Sequence, residues 1–208
     1  PDAMLHYSFG NVEIHFDINV LPGYVWIFPS GNPPVANVGL GFNADIYNRE
    51  QMQGKTLEDF ITVFMENNPF GERLKHGRQI SPFKGWRIPS GPQAMENYAD
   101  GIMLIGDAGS MVLPLTGEGI GPAMETAKMA ADTALEALAA NDFSAAFLKR
   151  YADKRHATYD AKYQAIKALE DAFRSPDTIN GFVHKYNTDE AFRQLLLSQW
   201  FFSEAQKG

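Results

Sequence analysis

The sequence predicts an α+β protein with an antiparallel β-sheet portion, a strand–glycine-rich loop–helix portion and C-terminal helices. The first 42 residues contain short runs of β-forming residues separated by turn residues such as Pro22-Gly23, and strands joined by short turns pair antiparallel. An apolar run at residues 101–105 leads into a glycine-rich stretch and then into a helix of small residues. Beyond residue 142 the apolar residues recur with helical spacing.

Local residue types predict each element of the N-terminal half. The helix predicted from Thr56 to Asn67 begins at a good N-cap residue and ends before Pro69. A second extended segment follows at residues 78–89. The strands predicted before the helix are Tyr7–Phe9, Val12–Phe16, Tyr24–Phe28 and Val35–Leu40.

The C-terminal half is predicted to be mainly helical. Its apolar run at residues 101–105 is typical of a strand buried on both faces. One helix starts between Gly119 and Pro122 and reaches Ala140, a long amphipathic helix runs from Asp142 to about Arg174, and two shorter helices are divided near residues 186–188. We therefore predict three portions: a sheet portion at residues 1–98, a strand–loop–helix portion at 99–140 and a helical region at 141–208.

Composition excludes several classes of function. The chain has 208 residues, a formal net charge of -7 and no cysteine. Nucleic-acid binding depends on clustered Lys and Arg, so the acidic balance argues against a nucleic-acid partner. Without cysteine there is no disulfide, thiolate nucleophile or cysteine-bound cluster, and the 5 histidines lack metal-ligand spacing, so no metal site is predicted. No signal peptide or membrane-spanning run is visible, and we expect a cytoplasmic location.

The stretch from Gly101 to Gly121 is the first informative motif. It reads GIMLIGDAGSMVLPLTGEGIG, a strand that ends at Gly106-Asp107 and is followed by a loop and a helix start. Ligands of α/β folds bind beyond the carboxyl ends of strands. An ionised aspartate there accepts hydrogen bonds from a polyol, and the helix N-terminus favours a negatively charged group such as a reduced flavin. The alternative is a strand–loop–helix whose glycines serve packing alone.

Three aromatic residues on one strand form the second motif. Tyr24, Trp26 and Phe28 alternate with Val25 and Ile27, so the aromatic side chains project from one face. Glycines in the neighbouring strand, Gly39 and Gly41, are expected to leave space above the sheet. An aromatic wall beside such a space suits a long hydrocarbon. Taken alone, the aromatic residues could equally be sheet core.

The glycine-rich motif resembles a known cofactor site. Residues 101–132, GIMLIGDAGSMVLPLTGEGIGPAMETAKMAAD, are similar to the second FAD-binding motif of flavoproteins with the p-hydroxybenzoate hydroxylase type of fold. The resemblance implies that Asp107 binds the ribityl chain of FAD. It also implies that the surrounding loop and helix start line the pyrophosphate and the ring, through Gly106, Pro114, Gly117, Gly119 and Ile120.

The aromatic motif resembles that of a narrower family. The string Tyr-x-Trp-x-Phe-Pro at residues 24–29, followed by Asn-Val-Gly-x-Gly at 37–41, is similar to the signature of geranylgeranyl reductases. Residues 86–91 resemble that family's Ile-Pro element near the flavin. The resemblance covers roughly residues 8–150. It implies that an isoprenoid cavity is lined by Tyr24, Trp26, Phe28, Pro29 and Gly39.

The family resemblance implies an FAD-dependent reductase of carbon–carbon double bonds in an isoprenoid chain. Its partners would be an isoprenoid small molecule or lipid and an electron donor, NAD(P)H or ferredoxin. Tyr24 is the candidate proton donor, because its hydroxyl could reach the cavity. The alternatives are a flavin monooxygenase or halogenase-like enzyme, which shares the Gly-Asp motif, and a non-catalytic lipid-binding module.

The sequence also departs from the family pattern. No Gly-x-Gly-x-x-Gly unit occurs in the chain, so the ADP half of FAD has no visible site. We therefore expect a natural protein roughly twice this length and a fragment that binds FAD weakly and is inactive alone. Some archaeal members use cysteines near the active site, and this chain has none.

The C-terminal tail carries an apolar cluster at helical spacing, formed by Phe192, Leu195, Leu196, Leu197, Trp200, Phe201 and Phe202. This cluster predicts either docking on the rest of the fold or peripheral membrane contact.

Overall fold

The predicted α+β class is confirmed. A computed structural model of the chain describes residues 13–16, 20–30, 35–43, 54–72, 74–91 and 96–200, without the side chains of Ser30 and residues 197–200. The strand predicted at residues 7–9 lies outside these residues. The strands are β1 (Glu13–His15), β2 (Gly23–Ser30), β3 (Val35–Phe42), β4 (Tyr98–Ala99) and β5 (Ile102–Met103). The helices are α1 (Leu57–Asn67), α2 (Pro69–Glu72), α3 (Ile120–Ala140), α4 (Ala145–Ala172), α5 (Pro176–Thr188) and α6 (Glu190–Trp200).

Strands β1, β2 and β3 form an antiparallel sheet with β2 in the centre. In this register Trp26 lies opposite Ile14 on β1 and Gly39 on β3. Tyr24 and Phe28 lie opposite Gly41 and Asn37 respectively. The aromatic motif and the Asn-x-Gly-x-Gly motif therefore occupy the same face of neighbouring strands.

The opposite face of β2 forms a hydrophobic core with α1. Val25 is 1% exposed and Ile27 is 0% exposed, and both pack with Phe60 and Phe64 of α1. Thr56 is the N-cap of α1, as predicted, and it forms a capping box with Asp59. Val25 and Ile27 thus point into this core, whereas Tyr24 and Trp26 on the other face are half-buried and Phe28 is exposed. Within the described residues the three aromatic residues do not belong to the core that β2 shares with α1.

The apolar run at residues 101–105 forms a shorter and more exposed strand than predicted. Strand β5 pairs only with β4 in a hairpin of two short strands within the described part of the chain. Ile102 is 54% exposed and Ile105 is 39% exposed, so the expected burial on both faces is wrong for this chain. A continuous apolar run indicates burial only where further elements cover both faces, and the described residues supply no such cover over Ile102.

A 3-10 turn at Gly106–Gly109 connects β5 to the loop before α3. Helix α4 packs on this region, where Met111, Leu113, Tyr159 and Tyr163 form a second buried cluster. Both helices have nearly the predicted bounds, since their ends are set by local residues such as Asn141, which adopts the left-handed conformation at the end of α3.

The chain divides into two compact units at residues 171 and 172. In the second unit, helix α5 has an N-cap serine, Ser175, and the rings of Phe173, Phe182 and Phe192 form successive edge-to-face contacts. No described helix is long and apolar enough to cross a membrane. The portion boundaries predicted at residues 98 and 140 stay predictions.

Candidate functional site

The exposed face of β2 carries a row of aromatic rings. The ring centroids of Tyr24 and Trp26 are 6.1 Å apart, and those of Trp26 and Phe28 are also 6.1 Å apart. Phe28 is 36% exposed, although such rings usually gain by burial. We call Tyr24, Trp26 and Phe28 the aromatic face. Pro29 does not belong to it, because strand alternation places Pro29 on the side of Val25 and Ile27.

The indole of Trp26 lies directly over β3. A Cβ atom built on Gly39 would lie 2.1 Å from Cζ2 of Trp26, which is shorter than any real contact. The indole Nε1 donates a hydrogen bond of 2.7 Å to Oδ1 of Asn37. The expectation that the glycines leave open space above the sheet is therefore wrong. Gly39 instead allows the indole to approach the strand closely, and Asn37 accepts a hydrogen bond from its edge.

The strand–loop–helix motif is closed by backbone and threonine contacts. Gly106 has a φ of 52°, which a glycine adopts without steric cost. Its N–H donates to Oγ1 of Thr126 at 3.3 Å, and the Thr126 hydroxyl donates to the carbonyl of Pro122 at 2.7 Å. Thr126 is 0% exposed. The turn after β5 is therefore anchored to the first turns of α3.

Asp107 lies beside the start of α3, as the motif predicts. Its Oδ1 atom is 3.4 Å from the position that a Cβ on Gly119 would occupy. Gly119 is the N-cap of the helix and supplies no side-chain cap. A carboxylate oxygen and uncapped helix amides, which carry a partial positive charge, therefore meet at one place. Asp107 is exposed and Ile120 is 80% exposed, so the place is open to solvent.

The loop between the turn and α3 adopts an unusual backbone. Leu115 has a φ of 61° and Gly117 a φ of 66°. The Gly117 N–H donates to the Leu113 carbonyl at 3.1 Å, and the Leu113 N–H donates to the Glu118 carbonyl at 2.8 Å. Left-handed backbone is unfavourable for a residue such as leucine, so surrounding contacts must hold this loop in place.

The Ile-Pro element contacts the same loop. The N–H of Gly91 donates to the carbonyl of Val112 at 3.0 Å, and Ser90 forms a parallel bridge with Val112. A Cβ on Gly91 would lie 3.5 Å from Cγ of Pro114. The structure therefore brings the third motif of the sequence to the glycine-rich loop. Nearby in the sequence, Trp86 is 94% exposed.

Tyr24 joins the aromatic face to the loop. Its hydroxyl donates a hydrogen bond to the carbonyl of Thr116 and lies 3.4 Å from the Cβ position of Gly117. Burial raises the pKa of the Tyr24 phenol above its ordinary value of 10.0. The two motifs that are far apart in sequence are therefore in direct contact in the fold.

Sequence reasoning missed a row of tyrosines on α4. Tyr151 donates to the Leu104 carbonyl and Tyr163 to the Met111 carbonyl, each at 2.6 Å. Tyr159 donates to the carboxylate of Glu125, and burial followed by that carboxylate raises the pKa of its phenol. Tyr151 and Tyr163 therefore bind the two sides of the 3-10 turn, and Tyr159 binds α3. The signal was available, because Tyr151, Arg155, Tyr159 and Tyr163 recur at intervals of four residues.

The structure also has a surface cleft away from the aromatic face and from Asp107. Its volume is about 380 Å³, and none of the predicted site residues belongs to its lining, which consists of Glu96, Tyr98, Ala99, Asp100, Ala145, Ala146 and Lys149. Among the described residues no group of three or more His, Asp or Glu side chains is placed to hold a metal ion.

Comparison with known proteins identifies the family. Residues 5–78 match the family model described as geranylgeranyl reductase catalytic domain. Digeranylgeranylglycerophospholipid reductase 1 of Methanopyrus kandleri is 39% identical to this chain over 145 residues, which are 68% of this chain and 36% of that protein. This chain belongs to the geranylgeranyl reductase family.

Two further matches cover most of the chain. The digeranylgeranylglycerophospholipid reductase of Thermoplasma acidophilum is 30% identical over 191 residues, which are 87% of this chain and 46% of that protein. A crystal structure described as geranylgeranyl bacteriochlorophyll reductase-like, from the same organism, has a TM-score of 0.72 and 27% identity over 91% of this chain and 48% of its own. The chain thus spans 36% to 48% of the length of these relatives.

Proposed function

We propose that this chain supplies the substrate face and part of the cofactor site of an FAD-dependent reductase that saturates carbon–carbon double bonds in an isoprenoid chain. The observation that supports this best is the convergence of the Asp107 carboxylate and the uncapped start of α3 with a loop that Tyr24 ties to the aromatic face. FAD fits these groups, because they combine an acceptor for polyol hydroxyls with helix amides that favour negative charge. When bound, FAD supplies the hydride.

In this proposal each group of the chain has a separate task. Asp107 accepts hydrogen bonds from the ribityl hydroxyls. Gly117 and Gly119 carry no side chains, so their backbone can approach the ring closely. The aromatic face packs against the hydrocarbon and excludes water from the reacting carbons. No described residue is assigned as the proton donor.

The proposed substrate is an isoprenoid chain carried by a lipid. Two of the relatives are named as reductases of digeranylgeranylglycerophospholipid, and an exposed row of rings on β2 suits a long hydrocarbon better than a polar metabolite. The electron donor is proposed to be NAD(P)H or ferredoxin. Peripheral membrane contact is proposed for the tail, where Leu195 is 53% exposed; Leu197, Trp200, Phe201 and Phe202 lie outside the described side chains.

We further propose that the working enzyme is longer than this chain. The relatives are between two and three times as long as the parts matched, and the chain has no Gly-x-Gly-x-x-Gly unit for the ADP half of FAD. The isolated chain is therefore proposed to bind FAD weakly and to be inactive. Co-purification of a visible flavin band through gel filtration would overturn this part.

The proposed cofactor site is tested by Asp107→Asn in the intact protein. A hydrogen bond to a charged group contributes about 1.5–3 kcal/mol, so FAD affinity should fall roughly 10- to 100-fold. The matched control is Asp132→Asn. This change removes an exposed carboxylate on α3 that pairs with Lys128 at 3.0 Å. Flavin fluorescence titration measures both. Equal affinity in Asp107→Asn and the control would remove Asp107 from the site.

The reaction is tested by anaerobic single turnover. Reduced enzyme mixed with a geranylgeranyl lipid should reoxidise its flavin, and the product should gain two hydrogen atoms for each bond saturated, as mass spectrometry detects. Oxygen consumption with a hydroxylated product would indicate a monooxygenase. Lipid binding without flavin affinity would indicate a non-catalytic lipid-binding module.

Membrane contact of the tail is tested by deletion of residues 192–208. The deletion should weaken liposome binding if the tail contacts the membrane, and unchanged binding would remove that contact.

A further inference from the structure

A single side chain, Tyr24, connects the aromatic face to the loop between the 3-10 turn and α3. We call this loop, residues 110–119, the cofactor loop, because the proposed function places FAD beside it. Tyr24 belongs to β2, where its ring contacts Trp26 at 6.1 Å and Phe16 at 6.5 Å between centroids. Its hydroxyl leaves the sheet and donates to the carbonyl of Thr116. The two ends of this side chain therefore lie on the two surfaces that bind different molecules in the proposed function.

The carbonyl that accepts the Tyr24 hydrogen bond belongs to a peptide group whose C=O and N–H are both hydrogen-bonded. The Thr116 carbonyl accepts from Tyr24, and the N–H of the same peptide, on Gly117, donates to the Leu113 carbonyl at 3.1 Å. The residues on either side of Thr116, Leu115 and Gly117, have positive φ angles of 61° and 66°. A positive φ is strained for a non-glycine residue such as Leu115, and it persists only where the surrounding structure fixes it. The Tyr24 hydrogen bond is one such fixed point, and it comes from a separate sheet.

The hydroxyl is poorly placed to act as an acid. Its proton is directed at a backbone carbonyl, which has no proton to return. Burial raises the pKa of the phenol, so the group stays neutral through the ordinary pH range. A hydroxyl committed in this way holds geometry better than it transfers a proton.

We propose that Tyr24 is a positioning residue that fixes the Thr116–Gly117 peptide and couples occupancy of the aromatic face to the order of the cofactor loop. The coupling rests on the proposed function, whereas the fixing of the peptide does not. A hydrocarbon packed on Trp26 limits the motion of the neighbouring Tyr24 ring, and a ring held still keeps the loop in the conformation that faces the flavin.

Amide hydrogen exchange in the intact protein tests the fixing of the peptide. Tyr24→Phe keeps the ring and removes one hydrogen bond, so the amides of Leu113 and Gly117 should exchange about three- to ten-fold faster. Tyr98→Phe is the control, because the Tyr98 hydroxyl makes no hydrogen bond among the described residues. The amide of Ile27 reports whether the sheet remains folded. Unchanged loop exchange in Tyr24→Phe, with the sheet intact, would overturn the proposal.

Geranylgeraniol in detergent micelles tests the coupling. Its binding should slow loop exchange in the parent protein and have a several-fold smaller effect in Tyr24→Phe. Equal slowing in both proteins would overturn the coupling. Tyr24→Phe should also weaken FAD affinity while leaving the pH profile of flavin reoxidation unchanged, and a profile that loses an ionisation would identify Tyr24 as the proton donor instead. If the parent protein binds no flavin, the proposed function fails, and loop exchange still decides the role of Tyr24.

Discussion

Replacement of Gly39 is constrained by space, because any side chain there would meet the Trp26 indole. A Cβ there would lie 2.1 Å from the Trp26 indole, whereas a Cβ on Gly41 would lie 3.7 Å from it, an ordinary contact. Gly39→Ala must displace the indole from Asn37, and we expect a loss of about 1–3 kcal/mol in the free energy of unfolding. Gly41→Ala should change it by less than about 1 kcal/mol, since alanine also restricts the unfolded chain. Urea unfolding monitored by circular dichroism distinguishes the two.

The emission of Trp26 gives a second measurement on the same pair. Gly39→Ala should shift the tryptophan emission of the folded protein, because the indole leaves its hydrogen bond of 2.7 Å to Asn37. Gly41→Ala should leave the emission spectrum unchanged. Equal stability and equal spectra in the two variants would contradict the packing of Trp26 on Gly39.

At the residue scale, the sequence predicted where a residue lies on its element better than which distant residue its side chain contacts. Asp107 follows an apolar strand and precedes a helix, and both features are local, so its place beside α3 could be predicted. The faces of β2 could also be predicted, because alternation has a fixed period. The packing of Trp26 on Gly39 could not, since it depends on a side-chain rotamer. The bond from Tyr24 to Thr116 joins residues separated by 92 positions, and no local pattern predicts such a contact.

Among the elements, helix α4 binds backbone carbonyls on both sides of the 3-10 turn through its tyrosines. Tyr163 and its acceptor residue Met111 are both 0% exposed, whereas Glu125, the acceptor for Tyr159, is exposed. Tyr163→Phe leaves a buried carbonyl unpaired, and we expect a loss of about 1–3 kcal/mol in unfolding free energy. Tyr159→Phe should cost less, because water can solvate Glu125. Chemical denaturation of both variants tests this order, which is contradicted if Tyr159→Phe is the more damaging.

The helix bounds could be predicted because caps and periodicity are properties of neighbouring residues. Thr56 and Ser175 cap their helices, and Asn141 ends α3. The β4–β5 hairpin could not be predicted in the same way. The exposure of Ile102 depends on which elements lie over the strand, and an apolar run alone does not contain that information.

At the scale of the whole molecule, large apolar side chains are exposed in the segments that carry the predicted cofactor motif and the Ile-Pro element. They lie on β5 and just after it, on the first turns of α3 and on the extended segment before the hairpin, and they are Ile102, Ile105, Ile120, Met124 and Trp86. Soluble proteins rarely leave large contiguous apolar patches open to water. We expect the additional length found in the relatives to cover these side chains in the working enzyme, which also follows from the proposed two-part site for FAD.

Trp86 reports this cover directly. It is 94% exposed in this chain, so iodide should quench its fluorescence efficiently in the isolated chain and several-fold less in the intact protein. Trp86→Phe, made in both proteins, isolates its contribution from that of the other tryptophans by difference. Equal quenching of Trp86 in the two proteins would mean that the rest of the enzyme leaves this surface open, and the extended segment would then be free to contact a membrane or a second protein instead.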